Sequence, residues 1–131
     1  MPLKKTCIFL GLWLIVYIHA LSQAANQNLS LVSQFNYTER LNDIWGYVDD
    51  AGTEYALVGL RNGVSIVDLS DPSNPEERDF LPGVRSAWRD LKTHDNFAYV
   101  SNETGDGIRI IDLNTLPGQV NYKDTTLAGI N

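Results

Sequence analysis

Two stretches of this chain answer one another. Glu54-Tyr55-Ala56-Leu57-Val58-Gly59 leads by a turn into Gly63-Val64-Ser65-Ile66-Val67-Asp68-Leu69. Asn96-Phe97-Ala98-Tyr99-Val100-Ser101 leads by a turn into Gly107-Ile108-Arg109-Ile110-Ile111-Asp112-Leu113. Gly63 to Gly107 is 44 residues, as is Asp68 to Asp112, whereas Ala56 to Ala98 is 42, so the second turn is two residues longer. Upstream, Asp43-Ile44-Trp45 matches Asp90-Leu91-Lys92 loosely. A fixed period near 44 signals a repeat architecture.

The apolar segments inside the repeat are short and rich in β-branched and aromatic residues, and none holds helical spacing for long enough to form a helix. Turn chemistry separates them: Asp49-Asp50-Ala51-Gly52, Arg61-Asn62-Gly63, Asp71-Pro72-Ser73-Asn74-Pro75, His94-Asp95-Asn96 and Thr104-Gly105-Asp106-Gly107. Asn62-Gly63 reads as a hairpin turn because both residues tolerate positive φ. The first repeat reads as strands Asp43–Val48, Glu54–Leu60, Val64–Leu69 and Arg78–Leu81. The second reads as Arg89–Thr93, Phe97–Asn102, Ile108–Leu113 and a weaker strand near Val120–Lys123. Ala56-Leu57-Val58 and Ile66-Val67 are nearly continuous apolar runs, as strands covered on both faces require.

Four antiparallel strands recurring every 40–45 residues are the pattern of a β-propeller blade. The expected fold is all-β: a partial propeller of two blades, 42–83 and 84–131, the second truncated. A leading segment, 25–41, precedes them, and a signal helix over 1–24 comes first. A closed ring takes at least about four blades. Two blades leave two apolar faces in water, so the chain is expected to be the N-terminal part of a longer protein. An oligomer that completes the ring, or a two-sheet sandwich, are the alternatives. Leu29–Phe35 alternates in polarity and is expected to close the ring as the outer strand of the last blade.

The N-terminus reads as an address. Lys4 and Lys5 precede an apolar run from Cys7 to Ile18, interrupted only by Gly11, and Ser22-Gln23-Ala24 ends it with small residues at a cleavage site after Ala24. The run is shorter than the roughly 20 residues of a spanning helix. Cleavage removes Lys4, Lys5, Cys7 and His19, leaving about 107 residues with eight basic and sixteen acidic side chains, a charge of −8. The whole chain, 131 residues at −6, fits one domain and excludes an electrostatic nucleic-acid binder. Its 44% hydrophobic content argues against disorder. Cys7 is the single cysteine, so the mature part holds no disulfide or thiol nucleophile.

Several residues are candidate sites. Trp45 and Trp88 offer a stacking platform for sugar rings, but inter-blade packing is the favoured reading. Asp68 and Asp112 occupy equivalent positions. A catalytic carboxylate pair is one reading; the favoured one is a recurring turn cap, each carboxylate accepting N–H bonds from the turn that follows. In Trp88-Arg89-Asp90 a salt bridge is favoured over a channel-facing binding role. Asn102, Glu103 and Asp106, and Asp49, Asp50 and Glu54, offer oxygen ligands for calcium without the EF-hand spacing; solvated turns are favoured. His94, the one mature imidazole, reads as an exposed turn residue. Asn28, Asn36 and Asn102 are glycosylation sequons, relevant only in a host that glycosylates them. No nucleophile elbow, phosphate loop or dinucleotide fingerprint occurs. No catalytic, cofactor or metal residue is therefore assigned.

Asn42-Asp43-Ile44-Trp45-Gly46-Tyr47, Glu54–Gly59, Gly63–Pro72, Trp88-Arg89-Asp90-Leu91-Lys92 and Asn96–Val100 resemble the choice-of-anchor B family, whose members carry LVIVD-type repeats. Val64-Ser65-Ile66-Val67-Asp68 and Ile108-Arg109-Ile110-Ile111-Asp112 fit the repeat core, and the resemblance runs from about Asn28 to Pro117. It implies a secreted or surface-displayed propeller and carries over no catalytic residue. The expectation is a secreted or cell-surface binding or scaffolding module, not an enzyme. Its expected partners are the remaining blades of the same chain and an extracellular ligand, carbohydrate or protein. The acidic charge argues against anionic polymers as partners and allows cationic or calcium-bridged ones. The competing expectation is a polysaccharide-acting hydrolase or lyase whose site lies mostly in further blades.

Overall fold

The computed structural model describes residues 29–104 and 107–125. The chain divides into two compact units, Met1–Leu31 and Val32–Asn131. Of the first, only residues 29–31 are described, and they carry no strand; the signal segment lies outside the described residues.

The second unit holds eight strands: β1 Leu41–Val48, β2 Glu54–Leu60, β3 Gly63–Asp68, β4 Glu76–Pro82, β5 Leu91–His94, β6 Phe97–Ser101, β7 Ile108–Asp112 and β8 Asn121–Thr125. They form two antiparallel four-stranded meanders, β1-β2-β3-β4 and β5-β6-β7-β8. No helix occurs among the described residues. All eight expected strands are present. The register places Tyr55 opposite Asp68 and Leu57 opposite Ile66 in the first sheet, and Phe97 opposite Asp112 and Tyr99 opposite Ile110 in the second.

Alternation along a strand then sorts side chains by face. The front of the first sheet carries Tyr47, Tyr55, Leu57, Val64, Ile66 and Leu81. These join Leu91, Ala98, Val100, Ile111, Leu113 and Val120 in one core. By repeat position, Ala98, Val100 and Ile111 correspond to Ala56, Val58 and Val67, which lie on the back of the first sheet. The sheets therefore stack front to back. A sandwich that buries two equivalent faces would use up its apolar surface; front-to-back stacking leaves another front that no other sheet among the described residues covers. That front carries Phe97, Tyr99, Ile108 and Ile110, of which Phe97 and Tyr99 are each 37% exposed.

Polar bonds cross the same seam. Trp45 Nε1 donates to Thr93 Oγ1 at 2.8 Å and Tyr47 Oη to Asn96 Oδ1 at 3.0 Å. The Leu91 amide donates to Asp43 Oδ2 at 2.8 Å and the Val120 amide to Asp79 Oδ2 at 3.0 Å. Arg109, held within its own sheet by Asp124 at 2.7 and 2.9 Å, reaches across to donate to the Pro82 carbonyl at 2.7 Å. These bonds set the registry of the sheets, and apolar burial supplies most of the attraction.

The leading residues 32–40 form no strand of the two sheets. Instead Tyr37 packs on the back of the first sheet with Val58, Leu60 and Val67, and its hydroxyl donates to Ser65 Oγ at 2.8 Å. An aromatic ring here covers apolar surface that would otherwise meet water. Both faces of β3 are buried as a result, as the apolar pair Ile66-Val67 anticipates.

Two local expectations are corrected. β5 starts at Leu91, not Arg89, because the Arg89 guanidinium is drawn inward to the Leu60 and Val84 carbonyls, at 2.9 and 2.6 Å. Gly63 is required for space and not for dihedral freedom, since neither Asn62 nor Gly63 has positive φ. A Cβ at Gly63 would sit on the Leu81 carbonyl oxygen and the Phe80 ring. Gly59 is similar: a Cβ there would lie 2.6 Å from the Arg89 carbonyl and 2.9 Å from Leu91 Cδ1, wedging the sheets apart. The β5–β6 hairpin does use a left-handed residue, Asp95 at φ 48°.

Leu57→Ala should lower the free energy of unfolding by about 2–5 kcal/mol, the range for a large-to-small core change. Gly59→Ala should also destabilise, although it adds only a methyl group. Ile44→Ala, at an exposed position, should fall within about 0.5 kcal/mol of the parent. Urea titrations of the full chain followed by tyrosine and tryptophan fluorescence measure all three.

Candidate functional site

Asp68 and Asp112 each bond the amide two residues on: Asp68 Oδ1 accepts from Ser70 N at 2.7 Å, and Asp112 Oδ1 from Asn114 N at 3.0 Å. Both carboxylates thus cap the turn that follows their strand. Asp68 Oδ2 also accepts from Arg78 Nε and Nη2, at 2.9 and 2.8 Å. Arg78 is the extra residue of a bulge in β4, since Ile66 pairs with Asp79 and Val67 with Glu77. Such a bulge re-aims the side chain it carries. The Ser70 amide and hydroxyl, then the Arg78 guanidinium, hold the Asp68 carboxyl below its ordinary value. Arg109 does the same for Asp124.

Carboxylates and amides of the acidic turns accept hydrogen bonds from the protein itself, Asp49 and Asn102 within their own turns and Glu103 from the β4–β5 linker. Asp49 Oδ1 accepts from the Ala51 and Thr53 amides at 2.9 and 2.8 Å, and Oδ2 from the Tyr55 hydroxyl. Asn102 Oδ1 accepts from the Thr104 amide, and Glu103 Oε1 from the Ala87 amide at 2.8 Å. Asp106 lies outside the described residues. Among the described residues no group of three or more His, Cys, Asp or Glu side chains is placed to hold a metal ion. His94 is 81% exposed, with Asp95 3.7 Å away. Asn36 and Asn102 lie in loops, and Asn28 falls outside the described residues.

The tryptophans separate. Trp45 is half-buried at the seam between the sheets, with the Lys92 ammonium 3.8 Å from its ring centroid. Trp88 departs from the expected core packing: it is 69% exposed. The reason is local. Trp88 and Arg89 are consecutive in the linker between β4 and β5, and Arg89 is buried beneath it. The linker is held by the buried Ser86, whose Oγ donates to the Trp88 carbonyl at 2.6 Å, and whose amide donates to the Arg61 carbonyl at 2.9 Å.

Trp88 forms one wall of a cleft of about 370 Å³ lined also by Arg40, Leu41, Asn42, Arg61 and Ala87. The entry to β1, the β2–β3 turn and the β4–β5 linker meet here. The Arg61 amide donates to the Arg40 carbonyl at 3.0 Å, and Asn42 Nδ2 to the Ser86 carbonyl at 3.4 Å. In the sequence, stacking is only the less favoured reading of Trp88, and Arg40 and Arg61 carry no signal: they are 21 residues apart and meet only when β1 pairs with β2. Two further hollows lie elsewhere, one on the free front by Phe97, Ile110 and Tyr122, the other among Tyr47, Asp49, Asn96 and Asn114.

Residues 52–79, the heart of the first sheet from the β1–β2 turn into β4, match the LVIVD repeat. Together with two stacked antiparallel meanders, this supports a repeat-containing protein of the β-propeller type. Comparison with curated proteins and with solved structures gives no match.

Because the Asp68 carboxyl is held low in the folded state, its contribution is present above its unfolded value of ~3.9 and fades as pH falls through the lower folded value. Asp68→Asn should cost about 1–2 kcal/mol at neutral pH through its weakened bonds to Ser70 and Arg78. The gap to the parent should close below about pH 4, which denaturation curves across the acid range will show.

Proposed function

We propose that this chain is the opening part of a propeller that works outside the cell, or on its surface, as a binding or scaffolding module of the choice-of-anchor B type. The observation that carries the reading is the free front of the second sheet. Phe97, Tyr99, Ile108 and Ile110 stand where Tyr55, Leu57, Val64 and Ile66 stand in the first repeat, and those four are covered by the second sheet. A surface so matched to the back of a blade is a place for another blade. Binding is favoured over catalysis because the recurring carboxylates serve as turn caps and the cleft at Trp88 is lined by arginine, tryptophan and amide groups. The exterior location rests on the n-region, apolar run and cleavage site of residues 1–24.

Two outcomes are expected. The protein produced with its N-terminus intact in a secreting host should appear outside the cytoplasm beginning at Ala25; a cytoplasmic protein retaining Met1 would reject the exterior location. The chain should bind ANS or self-associate through its free front, and Ile110→Asp should abolish this while leaving the far-ultraviolet circular dichroism intact. A monomer that melts cooperatively and binds no dye would reject the array.

A further inference from the structure

We infer that the cleft beneath Trp88 binds a carboxylated sugar, a hexuronate unit of an acidic glycan. The inference deepens the binding-module reading and rests on it for the setting outside the cell.

The arginines supply the first reason. Of six in the chain, four are engaged: Arg78 by Asp68, Arg85 by Glu39, Arg109 by Asp124, and Arg89 by backbone carbonyls. Arg40 and Arg61 are the two whose guanidinium groups meet no hydrogen-bonding or ionic partner among the described residues. Both line this cleft. In a chain of net charge −6, with acids on most turns, two cations without such a partner lining one cleft are complementary to an anion. A guanidinium fork matches a carboxylate in geometry as well as charge.

Trp88 supplies the second. An indole this exposed, on a linker whose backbone is held by Ser86 and by the Glu103 bond to the Ala87 amide, offers a flat apolar wall. Leu41, 59% exposed, extends the apolar surface. A pyranose ring presents an apolar C–H face to such a wall and, when oxidised at C6, a carboxylate at its rim. An inorganic anion would leave the indole and Leu41 wet, and a neutral sugar would leave both arginines unpaired. The volume lies at the low end of ligand clefts, ~300–1,000 Å³, a fit for one or two rings.

The net negative charge does not forbid this. Charges beyond about 8 Å are largely screened at physiological ionic strength, so contact-range arginines outweigh distant carboxylates. Around the cleft, Glu39 is paired with Arg85, Asp43 and Glu103 keep their charge but turn it toward backbone amides, and Asp90 is exposed to screening solvent.

Isothermal titration of the full chain with trigalacturonic acid, its methyl ester and inorganic phosphate tests the assignment. The free acid should bind at least ten-fold more tightly than either the ester, which keeps the rings and loses the charge, or phosphate, which keeps charge and loses the rings. Arg40→Ala with Arg61→Ala should weaken the acid at least ten-fold and leave the ester unchanged, whereas Trp88→Ala should weaken both sugars. These side chains are exposed, so melting temperatures should match the parent, and a large drop would itself mark a structural role and overturn the assignment. Equal binding of acid and ester, equal competition by phosphate, indifference to the arginine changes, or no heat with the acid at millimolar concentration would each overturn it. If a neutral glycan then binds independently of both arginines, the module reading survives without this ligand. Export failure with uronate binding intact would remove the exterior setting and leave the cleft.

Discussion

The structure depends on one packing event, the burial of the front of one four-stranded sheet against the back of the next. Leu57, Ile66 and Val64 gain their dry environment from Ala98, Val100 and Ile111, and neither sheet can bury these side chains alone. A small residue on the back of the second sheet, Ala98, admits the larger ones on the front of the first. Gly59 lets the linker and β5 come within contact distance of β2. Removing apolar surface from water drives this packing. Because it joins unlike faces it has no natural end after two sheets, and the second front repeats the demand of the first.

The same event creates the cleft. Sheet stacking fixes the separation of β4 and β5, and the eight-residue stretch between them, 83–90, must cross the seam. Arg89 secures the crossing by filling backbone acceptors at Leu60 and Val84. Once its side chain is committed inward, the neighbouring indole is left facing out. Pairing of β1 with β2 brings Arg40 beside Arg61, and Ser86 binds the linker to that pair. A cationic, partly apolar recess thus results from contacts whose first role is to hold two sheets together.

Much of the fold is legible along the chain because its causes are local. Two-residue alternation, β-branched runs and turn residues place every strand to within a few residues. The turn-capping role of Asp68 and Asp112 follows from their position at strand ends, since the amide they bind is only two residues away. Less is legible where the cause is distant. The bulge that aims Arg78 at Asp68 depends on β3–β4 register, and the need for Gly63 depends on how closely Phe80 and Leu81 approach it. Trp88 reads as a core residue from its composition alone, because large aromatics usually pack inside. The burial of Arg89 reverses that.

What can be read from residue order is the all-β class, the period near 44, and the partition of each strand into two apolar faces, because these arise from side-chain alternation and repetition along the chain. Which face meets which, where Tyr37 lies, and that Arg40, Arg61 and Trp88 share one recess were settled by folding. Those relations join residues from β1, the β2–β3 turn and the β4–β5 linker. Only sheet pairing and stacking bring such segments within reach of one another.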